Sequence, residues 1–135
     1  MDWKADRIKG EYLTHINYSF ALIRNGVLSA AELDKPDEIR LVKKRYPHLK
    51  VLVSVGGWGA DGFSDAALTE RSRALFAESA VEFVRKNSFD GIDVDWEYPG
   101  SSDAGIKARP EDRENFTLLL KELRKVLDRC GAGDG

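Results

Sequence analysis

Phe89 to Gly100 reads FDGIDVDWEYPG, and the periodicity of this stretch decides the fold. Ile92, Val94 and Trp96 alternate with Asp93, Asp95 and Glu97, and a period of two is that of a β-strand. In a chain rising about 3.3 Å per residue, the three carboxylates share one face at steps of roughly 7 Å, and the opposite face is wholly apolar. With Asp90 the segment holds four acids in eight positions, and no Lys or Arg lies within five residues of the row. Two readings follow. One is a half-exposed strand whose polar face meets water; the other is a set of carboxylates kept together, against their repulsion, for chemistry.

Working outward, LTHINYSFA at Leu13 to Ala21 and VLVSV at Val51 to Val55 also read as strands. Between them, Asp34 offers an N-cap, Pro36 suits a first turn, and Asp37 and Glu38 suit its charge. Ile39, Val42 and Tyr46 then follow at helical spacing until Pro47 stops the helix. Between the second and third strands, Leu68, Leu75, Phe76, Ala80, Phe83 and Val84 form a helical stripe. After the third, Pro110-Glu111-Asp112 opens a helix with Phe116, Leu119, Leu120, Leu123, Val126 and Leu127 on one face, closed by Gly131.

The order β-α-β-α-β-α, with apolar strands, predicts an α/β fold with a parallel sheet. A doubly wound sheet and a piece of a (β/α)-barrel both satisfy it. In either, chemistry belongs at the C-terminal strand ends, which brings Ser54-Val55-Gly56-Gly57-Trp58 and Asp95-Trp96-Glu97 to one rim.

The chain has 135 residues, 42% apolar and 33% charged, a composition that predicts one soluble globular domain over residues 1–135. Its formal charge of −2 and its scattered Lys and Arg argue against a nucleic-acid partner. No apolar run has the length of a membrane span, and the opening MDWKADRIKG lacks the apolar core of a signal peptide. Cys130 is the single cysteine, so no intrachain disulfide is expected, and His15 and His48 share no ligand spacing with it. Neither a metal nor a cofactor is expected.

SVGGWG after the second strand is a turn, and it lacks both G-x-G-x-x-G and G-K-[ST], which argues against phosphate binding. Gly56 and Gly57 remove side chains beside the acidic row and are expected to leave room for a bulky ligand. Trp58 either stacks on that ligand or packs in the core.

SVGG at Ser54 to Gly57 together with DGIDVDWEYP at Asp90 to Pro99 resembles glycoside hydrolase family 18, the chitinases. LTHINYSFALI resembles that family's second barrel strand, and the similarity runs on through RPED at Arg109 to Asp112 and ENFTLLLKELR, so it covers essentially the whole chain. The resemblance implies that Glu97 is the proton donor and that Asp95, with Asp93 as its inner partner, contacts the substrate's N-acetyl group. It further implies that Ser54 bonds into the aspartate row, that Trp58 stacks on a sugar on the leaving-group side, and that Tyr98 borders the cleft. Asp90 is expected to serve the turn and the strand entry.

That chemistry accounts for the acidic strand. Cleaving a β-1,4 link between N-acetylglucosamine units needs a protonated carboxyl, and a like-charged neighbour such as Asp95 favours the protonated form of Glu97. Family 18 is an exception to the two-carboxylate retaining scheme: the substrate's own acetamido oxygen attacks. The implied partners are chitin or N-acetylglucosamine oligosaccharides, and the implied location is extracellular, because chitin is.

A full (β/α)₈ barrel takes about 250 residues, and this chain has three strand-helix units, matching barrel strands 2 to 4 of a partial TIM barrel. The aromatic residue that the family's first strand supplies, the Tyr and acid of its sixth and the Trp of its eighth have no counterpart here. An incomplete enzyme is expected, with open sheet edges that invite self-association. Rival functions are an endo-β-N-acetylglucosaminidase or a peptidoglycan-directed glycosidase of the same family, a chitooligosaccharide-binding lectin-like protein, and an oligomer that completes its own walls. Glu97 argues against the lectin, which typically lacks that acid.

Overall fold

Three parallel strands carry the acidic row and its neighbours, and a fourth folds back on one of them. A computed structural model describes residues 3–29 and 36–134. The strands are β1 (His15–Arg24), β2 (Val27–Ser29), β3 (Lys50–Gly56) and β4 (Gly91–Asp95), in the spatial order β2-β1-β3-β4. β1, β3 and β4 run parallel, whereas β2 is antiparallel to the end of β1. This hairpin is absent from the sequence expectation of three strands, because a three-residue strand is too short to show a period. Its turn was nevertheless legible: Asn25 and Gly26 both take positive φ, as the Asn-Gly of a type I′ hairpin does.

The described residues also form four α-helices, α1 (Pro36–Arg45), α2 (Phe63–Leu68) and α3 (Glu70–Lys86) between strands and α4 (Asp112–Asp134) after the last. In α1, Ile39 and Val42 are buried, and the helix ends before Pro47. Its expected cap, Asp34, lies outside the described residues. Thr69 separates α2 from α3 with an extended backbone, and its hydroxyl accepts from Ser72 N–H at 3.0 Å while Ser72 Oγ accepts from Thr69 N–H at 2.9 Å. Such a reciprocal cap contributes about 1 kcal/mol.

The stripe expected between the second and third strands is therefore partly displaced. Phe76, Ala77, Ala80, Val81, Phe83 and Val84 of α3 are buried, but Leu75 is exposed, beside the β1-β2 turn at Gly26. Leu68 belongs to α2 and is also exposed. On α4, Leu119, Leu123 and Val126 are buried and Phe116 and Leu127 pack against the core, whereas Leu120 faces out. Nor does Gly131 close α4. A glycine ends a helix by taking positive φ, and Gly131 does not.

Alternation along the strands divides the sheet into two faces. Tyr18, Ala21, Val51, Val53 and Val55 lie in one core cluster with Phe63, Phe76, Ala80, Leu119 and Leu123 of the helices. Burying each large apolar side chain contributes about 1.5–3 kcal/mol relative to leaving it exposed. The other face carries exposed Asn17 and Ser19 and half-buried Asp93 and Asp95. Among the described residues, no helix is long and apolar enough to cross a membrane.

Candidate active site

Parallel register fixes which groups meet on the polar face. Ser54 pairs with Asp93 and Gly56 with Asp95, and Glu97 lies just beyond the end of β4. The buried Ser54 hydroxyl donates to Asp93 Oδ2 at 2.7 Å. One step further, Gly57 N–H donates to the Asp95 carbonyl at 3.0 Å, which joins the β3 turn to the end of the acidic strand.

This approach needs a glycine. Gly56 has φ +119°, and a Cβ there would run into the Asp95 carbonyl and crowd the Phe63 ring. Gly57 has φ +91°, and a Cβ would stand 3.1 Å from the Phe20 ring. The space that these glycines were expected to leave for a ligand is thus filled by protein, namely the Asp95 backbone, Phe63 and Phe20. The Phe20 ring is itself 41% exposed and was not singled out from sequence. It sits where β1 shifts register, between Ser19 and Ala21, so strand alternation does not signal it.

Trp58 is 65% exposed and Tyr98 is 51% exposed, and their ring centroids lie 6.2 Å apart, edge to face. Trp58 therefore stands in solvent and not in the core. The Tyr98 hydroxyl is held above its ordinary range, first by its hydrogen bond to Glu97, then by the charge of that carboxylate, with burial and Asp95 adding to it. Trp96 turns the other way. It stacks on Phe63 at 5.3 Å and meets Phe116 edge-on at 5.4 Å, and its burial commits its neighbours Asp95 and Glu97 to the opposite side of the chain.

Asp90 lies below the row and anchors it. Its carboxylate accepts from Val51 N–H and from Lys43 Nζ, both at 2.8 Å, while its own N–H donates to the Val51 carbonyl. Partial burial would raise this carboxyl, but the bonds from Lys43 and Val51 and the charges of Lys43 and Lys50 outweigh it and hold it below its ordinary range.

After Tyr98, the chain to Arg109 has no regular structure, yet it is tied down at its far end. Asp112, with 0% exposure, accepts from the buried Ser64 hydroxyl at 2.7 Å and from Arg109 N–H at 2.7 Å. The Arg109 guanidinium donates to Ser64 Oγ at 2.7 Å and to Asp65 Oδ1 at 2.6 Å, and Lys107 Nζ reaches Asp65 Oδ2 at 2.7 Å. Hydrogen bonds from Lys107 and Arg109 outweigh the opposing effect of burial and, with the charges of the same two cations, keep the Asp65 carboxyl low. In the sequence, Pro110-Glu111-Asp112 reads as a helix opening and its link to α2 is invisible, because the partners lie more than forty residues apart. Among the described residues, no group of three or more His, Cys, Asp or Glu is arranged to hold a metal ion.

Comparison with known proteins identifies the family and the fold. The family model described as "Glycosyl hydrolases family 18" matches residues 1–133. Chitinase A1 of Niallia circulans is 50% identical over 101 residues, covering 73% of this chain and 14% of that protein. Chitotriosidase-1 of Mus musculus is 36% identical over 90% of this chain and 26% of its own length. The chain thus spans about a quarter or less of the length of these two relatives. A solved family 18 N-acetylglucosaminidase from Paenibacillus barengoltzii superposes with a TM-score of 0.88 at 48% identity, covering 91% of this chain and 36% of that one. Of the two parallel architectures, the match selects the partial (β/α)-barrel.

Proposed function

Because the chain belongs to glycosyl hydrolases family 18, we propose that residues 1–135 form one incomplete catalytic domain of an enzyme cleaving β-1,4 links between N-acetylglucosamine units in chitin. The observation that carries the reading is the row Asp93, Asp95 and Glu97 at the C-terminal end of β4, tied to β3 by Ser54 and bordered by the exposed pair Trp58 and Tyr98.

Glu97 is the general acid in this reading. It gives its proton to the glycosidic oxygen as the acetamido oxygen of the cleaved sugar attacks C1, so that the leaving sugar departs and an oxazolinium forms. Water then attacks C1 from the face the leaving sugar vacated, Glu97 recovers a proton from it, and the acetamide is regenerated with retained configuration. Asp95 orients the acetamide N–H and stabilises the developing charge, sharing a proton with Asp93, whose Oδ2 is held by Ser54. Trp58 stacks on the leaving-group side and Tyr98 borders the cleft, with Gly56 and Gly57 letting the β3 turn approach the row.

Two consequences belong to the same reading. Among the described residues no strand pairs with the outer edge of β4, so in this reading the chain alone is an incomplete enzyme, and its edges can pair with another copy. Chitin being extracellular, so is the work. A second reading, release of N-acetylglucosamine from other β-linked glycans, is supported by the likeness to the Paenibacillus barengoltzii N-acetylglucosaminidase.

The test is hydrolysis of a fluorogenic chitotriose by the 135-residue chain beside Glu97→Gln, with solution mass measured on both. Turnover lost by roughly 10²-fold or more in Glu97→Gln supports the assignment of the acid. Equal turnover in the two overturns it. A folded, monomeric and inactive wild type supports the incomplete-enzyme reading.

A further inference from the structure

The loop from Tyr98 to Arg109 begins one residue after Glu97 and brackets Trp58. The Tyr98 ring meets the Trp58 ring at one side, and at the other the Ala104 carbonyl passes 3.6 Å from where a Cβ on Gly59 would stand. Irregular segments of about a dozen residues are uncommon inside a compact domain and are usually functional or disordered. This one is ordered by three fastenings, one to the core and two to the turn and helix that follow Trp58. Ile106 is buried in the core, Lys107 N–H donates to Asp61 Oδ1 at 3.2 Å, and the charged network joins Lys107 and Arg109 to Asp65.

The network has two halves with different physics. Its inner half, Asp112 with Ser64 and the Arg109 backbone, is out of water and fully bonded, so removing a member would leave a buried polar group unpaired. Its outer half is Asp65 gripping two cations, with Asp65 and Lys107 each about half exposed. Pairs so exposed add little stability. What the outer half does supply is geometry: one carboxylate on α2, bonded to both residue 107 and residue 109, allows the loop a single register.

We infer that Asp65, Lys107 and Arg109 are positioning residues: they latch the loop onto α2 so that Tyr98 and Trp58 stand as one wall for the sugars on the leaving-group side. The inference rests on the sugar-contacting reading of Trp58 and Tyr98, and names the device that holds them.

The test compares the wild-type chain with Asp65→Asn, which removes the charge from both arms, and Asp65→Glu, which keeps it. Amide hydrogen exchange in residues 99–107 is read against the amides of Val53 and Val55 in β3. The Trp58 indole resonance, assigned with Trp58→Phe, reports the wall, and chitotriose titration reports binding. In Asp65→Asn we expect loop exchange about tenfold faster with β3 unchanged, a displaced indole resonance, and chitotriose affinity reduced roughly fivefold. Asp65→Glu should recover all three.

Unchanged loop exchange and indole resonance in Asp65→Asn would overturn the latch. A loosened loop with unaltered chitotriose affinity would overturn the positioning role. Should the wild type bind no chitotriose, the sugar reading fails for this chain, and exchange with the indole signal still decides whether the latch sets the wall. Lys107→Gln, which removes only the exposed arm, repeats the comparison if Asp65→Asn does not fold.

Discussion

Ser54 and Asp93 face one another across adjacent parallel strands, and the serine hydroxyl donates to the carboxylate over 2.7 Å. Ser54 is nearly free of water, so its hydroxyl has to find a partner inside the protein. Asp93 is that partner, and the bond fixes the inner end of the acidic row to β3. Replacing Ser54 with Ala removes the donor and leaves a half-buried carboxylate short of one bond. We expect a loss of about 1–2 kcal/mol in unfolding free energy, read from the urea midpoint, with the far-ultraviolet circular dichroism of the native state unchanged.

Gly56 sits at φ +119° with the Asp95 carbonyl where its side chain would be. Gly56→Ala therefore meets both an unfavourable backbone conformation and a backbone atom that cannot move without displacing the end of β4. The expected cost is at least about 2 kcal/mol, and the Gly57 to Asp95 hydrogen bond should be lost. Slow exchange of the Gly57 amide in the wild type, and fast exchange in the variant, checks this.

The tie between Asp90 and Lys43 makes stability depend on pH in the acid range. The folded-state carboxyl titrates below its ordinary 3.8. Its stabilisation is therefore complete above that value and is lost as pH falls through the lower folded-state value. Asp90→Asn should lower stability by about 1–2 kcal/mol near neutral pH, and the difference from wild type should shrink in acid, as pH falls below 3.8 and through the lower folded-state value. Urea midpoints at neutral and acid pH test it, and a difference that grows in acid would contradict the sign.

Trp58 offers the opposite case, an exposed ring with little structural duty. Trp58→Ala should change unfolding free energy by no more than about 0.5 kcal/mol. Under the proposed function it should weaken chitotriose binding roughly tenfold, the order of one lost stacking contact. Calorimetric titration beside thermal unfolding separates the two effects.

How much of this was legible in advance differs from element to element. The alternation of Ile92, Val94 and Trp96 with Asp93, Asp95 and Glu97 determined the acidic strand, because a strand's period of two assigns faces without knowledge of its neighbours. The apolar run at β3 and the helical spacing of Phe76, Ala80, Phe83 and Val84 did the same for the parallel layer and its helix. Leu68 misled, since a period identifies a stripe but not where Thr69 interrupts it; Leu75 misled because it lies at the stripe's margin, beside the Gly26 turn; and Gly131 misled because a glycine signals a helix end only when its φ turns positive.

The sequence by itself thus determined three strands and their helices in chain order, the parallel architecture and the acids on its rim. Only the tertiary structure decided that Gly56 and Gly57 admit the Asp95 backbone and Phe20, that Trp58 stands in solvent against Tyr98, and that Asp65 grips Lys107 and Arg109. The physical reason is range. Periodicity and capping are set by residues a few positions apart, whereas these contacts join segments some forty residues apart, whose meeting depends on how the sheet and helices pack.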